Sequence, residues 1–140
     1  MRKQSLLTLT LMPTMALAQP LTITLNLPEN YSAGGTFRVG VFTSQDAFDA
    51  GDVAYGTQMP AIAGTNTATF SNLPAGTYGI SAYLDQNGND ELDRNLLGIP
   101  SEPYGFSLNP VIRFSAPKFD EFAFDYEGQG GVLSLDLNGI

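Results

Sequence analysis

Residues 85–93 read Asp-Gln-Asn-Gly-Asn-Asp-Glu-Leu-Asp and concentrate the oxygen chemistry of the chain. Side-chain oxygens recur at Asp85, Asn87 and Asn89, and Glu91 and Asp93 continue the alternation. Alternate positions on a curling loop can turn their oxygens to one centre, and a hard cation such as Ca2+ takes about six to eight of them. Asp85, Asn87, Asn89, Glu91 (through its carbonyl) and Asp93 therefore form a candidate site for a structural Ca2+. An EF-hand-like loop would carry glycine where Asp90 stands and a bidentate acid where Leu96 stands. A carboxylate from elsewhere, such as Glu102, would have to complete the cage. The same residues also spell a plain hairpin turn, since Asn-Gly favours tight turns and Asx side chains bond their own backbone without metal. Only Arg94 stands among Asp85, Asp90, Glu91, Asp93 and Glu102 to offset their repulsion, which tilts the balance toward an ion.

The following stretch, residues 97–107, is rich in Gly, Pro and aromatic residues and carries few strand or helix signals. Long loops of this kind in small domains are commonly functional. Tyr104 and Phe106, joined by Tyr83 from a preceding strand, are candidate ligand-binding residues. The competing expectation is that they plug one open end of the domain.

Composition removes many alternatives. The chain has 140 residues with no His, no Cys and no Trp. No Ser-His-Asp or Cys-His nucleophile system can be assembled, nor a usual His/Cys zinc site or iron–sulfur cluster. The formal net charge of −8 argues against nucleic acid, whose phosphates demand Lys and Arg. A carboxylate-dependent hydrolase, glycosidase-like, using acids of the 85–102 region is the alternative enzymatic reading. No Trp platform for a sugar accompanies those acids, and their spacing reads as ligands more than as an acid and a base. The expected function is non-enzymatic.

Around these candidates lie the elements that must hold them. Arg2 and Lys3 open a short basic start, an apolar run covers residues 6–12, and Ala16-Leu17-Ala18 offers small residues before Gln19. This is the layout of a secretory signal peptide over residues 1–18, leaving one domain over residues 19–140. The apolar run is shorter than the ~20 residues of a membrane span, and Pro13 interrupts it. No transmembrane segment is expected after cleavage. The location is exported, periplasmic or secreted, with an envelope ligand or protein as partner. Loss of Arg2 and Lys3 leaves the remaining domain more acidic still, and without disulfides to staple it.

Strict alternation marks strands at residues 21–27, 36–41, 77–84, 122–127 and 133–138, with weaker ones at 57–63 and 67–70. Ser44 caps a short helical turn that Gly51 ends, and residues 92–97 offer another. Leu73-Pro74-Ala75-Gly76-Thr77-Tyr78 reads as a tight turn into a central strand, from which Tyr78 can bond back across the corner. The expected fold is all-β, an antiparallel two-layer sandwich of about seven strands, Ig-like or transthyretin-like.

The run DQNGNDELDRNLLGIPSEPYGFS, with LPAGTYGISAYLD before it and APKFDEFAF after it, resembles the DUF2141 family of small exported bacterial proteins. The likeness covers about residues 21–137, and Gly-Ile-Pro followed by Tyr-Gly-Phe-Ser is its most specific string. Ser115-Ala116-Pro117 departs from the Gly-Pro-Pro more usual there. The resemblance implies a single β-sandwich domain in the cell envelope and supplies no catalytic residues. The LPAGTY turn is also similar to that of transthyretin-like and carboxypeptidase-regulatory-like modules, at the level of fold alone.

Overall fold

Apolar residues at alternate positions put Leu21, Ile23 and Leu25 of β1 (Leu21–Asn26) on one buried face. The same period buries Phe37, Val39 and Val41 of β2 (Thr36–Phe42), and Tyr78, Ile80, Ala82 and Leu84 of β5 (Gly76–Asp85). Between β2 and β5 come α1 (Gln45–Ala50), β3 (Tyr55–Pro60) and β4 (Asn66–Phe70). β6 (Tyr104–Phe106), α2 (Phe119–Phe122), β7 (Ala123–Tyr126) and β8 (Gly131–Asp136) complete the order. The computed structural model describes residues 5, 7–11, 19–29, 31, 34–113 and 115–138. The expected cleavage site at Ala16 to Ala18 lies outside them.

Two sheets pack face to face, one ordered β4-β1-β8 and one ordered β3-β2-β5-β6, with β7 also paired to β5. The core between them joins Leu21, Ile23 and Leu25 to Val39, Val41, Ile80, Leu84, Leu135 and Leu137. Each fully buried Leu, Ile or Phe contributes about 1.5–3 kcal/mol, so these alternating faces hold the layers together. The all-β sandwich is as expected, with one exception to antiparallel pairing. β8 runs parallel to β1, Leu21 opposite Gly131 and Asn26 opposite Asp136. Alternation specifies which face is buried and carries no information on strand direction.

Ser44 Oγ accepts the Ala47 N–H (3.1 Å) and Gly51 ends α1 in the left-handed conformation, as its sequence signals imply. Tyr78 donates its hydroxyl to the Pro74 carbonyl (2.8 Å), closing the corner before β5. Residues 92–97, read as a helical turn, instead form one arm of a small bridged loop in which Arg94 pairs with Pro100.

The outer face of the larger sheet is covered in part by the two short helices. Phe48 stands edge-on to Phe42, Phe106 and Phe122, with ring centroids 5.2, 5.9 and 5.0 Å away. Gly79 makes room for this cluster. A Cβ there would meet the Phe122 ring at 2.5 Å. β6 and β7 share one edge of β5, β6 facing Ser81–Tyr83 and β7 facing Gly76–Gly79. Ile80 falls in the gap, and Ser107 fills it. The Ser107 N–H donates to the Ile80 carbonyl (2.8 Å), its Oγ accepts the Ile80 N–H (3.0 Å), and its hydroxyl donates to the Phe122 carbonyl (2.5 Å).

Candidate functional site

The acidic loop leaves β5 at Asp85, whose side chain is 1 % exposed. Its Oδ1 accepts the Gly88 N–H (2.9 Å), and its Oδ2 accepts the Asp90 N–H (2.9 Å) and Arg38 Nε (3.2 Å). Burial opposes ionisation, but the amides of Asp90 and Gly88 and the Arg38 guanidinium outweigh it and hold the carboxyl below its usual range. Arg38, on β2 and 47 residues away in sequence, also donates to Gln58 Oε1 (2.8 Å) and to Asp90 Oδ1. Asp90 adopts φ 65°, a conformation that Asp tolerates better than most residues.

Glu102 is a second buried acceptor at the far end of the loop, 3 % exposed. Its two oxygens take the N–H groups of Gln86 (2.9 Å) and Asp93 (3.1 Å), tying the two ends of the loop together. Between these anchors the Asn87 and Asn89 amides both donate to Asp93, the latter at 2.6 Å. Their own oxygens accept backbone N–H groups, Asn87 from Asn89 (3.2 Å) and Asn89 from Glu91 (3.1 Å). Glu91 is exposed at the tip. Among the described residues, no set of three or more His, Cys, Asp or Glu is grouped as a metal site, and no buried side-chain N or O lacks a partner.

Beyond Asp93 the chain folds back on itself. Ser101 N–H donates to the Asp93 carbonyl (2.8 Å), Asn95 Oδ1 accepts from Leu97 (2.9 Å) and Ile99 (3.1 Å), and Arg94 Nη1 donates to the Gly98 carbonyl (3.0 Å). This loop lies against the outer face of the larger sheet and forms one wall of a groove of about 300 Å³. Tyr83, Tyr104 and Phe106 all line it, joined by Phe42, Phe48 and Ile99. From sequence alone, Tyr104 and Phe106 are expected in a loop. They belong to β6, paired with β5 so that Tyr104 lies opposite Tyr83 and Phe106 opposite Ser81. The Tyr83 hydroxyl donates to the Asp90 carbonyl (2.9 Å), and burial raises its pKa more than the nearby Arg38 lowers it. It is a donor that links the acidic loop to the groove.

Leu97 is 83 % and Ile99 44 % exposed, and both line the groove. Phe42 and Phe48 stand outside the expected site, because they register with the groove only once α1 packs on the sheet. Arg38 stands outside it too, since no spacing connects it to Asp85.

The fold and site define a β-sandwich domain with a small aromatic groove walled by an acid-anchored loop. Residues 27–132 match the family described as "Uncharacterized protein conserved in bacteria (DUF2141)", and the chain belongs to it. No curated protein and no solved structure matches the chain. No helix of the described residues is long and apolar enough to cross a membrane.

Proposed function

We propose that this chain is an exported, non-enzymatic β-sandwich module that binds a small ligand with an apolar body in the groove on its larger sheet. The observation that carries the reading is the convergence of Tyr83, Tyr104 and Phe106 on one concave surface of about 300 Å³, at the small end of ligand-site volumes. Aromatic walls of this kind supply large contact area at low entropic cost. The acids of the 85–102 region support a positioning role in place of general acid–base work, because Asp85 and Glu102 spend their oxygens on backbone N–H groups. The export part of this reading is supported by the signal-peptide-like layout of residues 1–18.

The test is a titration with the neutral fluorophore N-phenylnaphthylamine. A saturable, single-site rise in emission is expected, and Ile99→Glu, which puts a charge on the groove wall, should abolish it. Emission that never saturates, or that survives Ile99→Glu unchanged, would defeat the reading.

A second reading, Ca2+ in the 85–93 loop, is favoured by the way Asn87 and Asn89 both close on Asp93. Rotation of the two amides would present oxygens in place of N–H groups, beside Asp93 and the Glu91 carbonyl, while Asp85 stays with its backbone and Arg38 partners. Binding to the folded state alone would raise the melting temperature in Ca2+ and lower it in EDTA. A transition unmoved by millimolar Ca2+ removes this reading and leaves the groove reading intact.

A further inference from the structure

We infer that the groove selects an amphiphile with an anionic head, such as a medium-chain carboxylate, and that Arg94 and Arg113 receive the head. This deepens the groove reading above and rests on it. The chain has 14 acids and only six Lys and Arg, yet the residues lining the groove include two arginines and, among the described residues, no Asp or Glu. That inversion of sign is local. Arg38, the cation nearest on the sheet, is already committed to Asp85 and Asp90.

Arg94 and Arg113 differ from it. Among the described residues neither has a carboxylate within ion-pair distance. Arg94 uses Nη1 on the Gly98 carbonyl, which fixes its stem on the loop, and among the described residues its other N–H donors have no side-chain or carbonyl partner. Both side chains are exposed residues on the lining, so a guanidinium there can keep one side in water and turn the other toward a bound head group. Guanidinium binds carboxylate through paired N–H donors, and such charge-assisted bonds strengthen where apolar walls exclude water. The aromatic walls and Ile99 of the same groove would take a short alkyl chain or a single ring. The acidity of the rest of the surface disfavours an anionic bilayer, whose field acts on the whole domain. A single dissolved amphiphile meets only the groove lining.

The experiment compares decanoate with decan-1-ol by isothermal titration calorimetry on the full domain, the parent chain against Arg94→Gln/Arg113→Gln and against Arg113→Gln alone. Decanoate should bind the parent about tenfold or more tighter than the alcohol, the size expected for charge-assisted hydrogen bonds. In the double variant the ratio of acid to alcohol affinity should fall to about one, and Arg113→Gln, which spares the Arg94 bond to Gly98, should lower that ratio in part. Equal binding of acid and alcohol by the parent would overturn the anion assignment and leave the groove reading standing. So would a double variant that binds decanoate as the parent does. Failure of both ligands to bind would overturn the groove reading as well. Sedimentation with phosphatidylglycerol vesicles without binding of the monomeric acid would also overturn the proposal, in favour of a membrane surface.

Discussion

Two clusters share the outer face of the larger sheet, and they are built on opposite plans. At Asp85 and Glu102 every carboxylate oxygen is occupied, by backbone N–H groups and by Arg38, and both acids are almost wholly buried. In the neighbouring groove Tyr83 and Tyr104 are only half-buried, and Leu97 and Ile99 of the loop that walls it stay exposed. A buried acceptor with all its partners specifies one loop conformation, because any other leaves an N–H group unpaired in a poorly solvated place. The open concavity leaves apolar surface in water, which on the proposed reading a guest would cover. The first cluster is thus the support on which the second depends, and Tyr83 joins them by donating to the Asp90 carbonyl.

Substitutions should separate support from surface. The largest effect is expected for Asp85→Ala, which orphans the Gly88 and Asp90 amides and the Arg38 guanidinium together. The melting temperature should fall by roughly 10 °C or more, and groove binding should fall with it as the loop loses its base. Glu102→Gln retains one carbonyl acceptor and loses the other, so a smaller fall is expected, about 1–3 kcal/mol by chemical denaturation. If Glu102→Gln proves more harmful than Asp85→Ala, the loop is anchored from its far end and the ranking of the two acids reverses.

Acid should act on the same cluster. The Asp85 carboxyl is held below its unfolded value near 3.9, so its contribution is fully present above that pH and is lost as pH falls through the lower folded pKa. Stability should decline on the acid side, and Asp85→Asn should flatten that limb relative to the parent. The smallest stability effect belongs to the groove rim. Leu97→Ala should leave folding stability within about 0.5 kcal/mol, as for exposed side chains generally, while weakening N-phenylnaphthylamine binding. A rim substitution that destabilised as much as a hub substitution would erase the distinction between the clusters.

The alternating segments were readable because period-two burial is local. Leu21, Ile23 and Leu25, or Tyr78, Ile80 and Ala82, announce their faces without knowledge of neighbours. The turn chemistry of Ser44, Gly51 and Tyr78 was readable for the same reason. β6 was hidden because it has three residues, among them Gly105, whose presence reflects distance and not propensity. A Cβ there would meet the Asp136 carbonyl at 2.6 Å. In the site, Asp85, Tyr83, Tyr104 and Phe106 were legible as polar or aromatic residues out of pattern. Their partners were not. Arg38 reaches Asp85 through the pairing of Thr36 with Asp85 across β2 and β5, and Ser107 serves Ile80 only because β6 and β7 abut along one strand. Such roles follow from register between distant segments, to which a single sequence gives no access.

The parallel pairing of β8 with β1 has a consequence in time. The Asn26 amide donates to Ser134 Oγ and to Asp136 Oδ1, the latter 110 residues on, and the Asn26 carbonyl accepts the Leu137 N–H. The central strand of the smaller sheet therefore stays half-satisfied until the last strand has been made and brought back to it. One residue beyond that join, Asn138 exchanges backbone bonds with Tyr104 and ties β6 to the same late event. Contacts so far apart in sequence slow the search for the native state. A chain extended from its first residue cannot close its core early. Because Asn138 ties β6 to the end of the chain, binding in the proposed groove is expected no sooner than the last strand has docked.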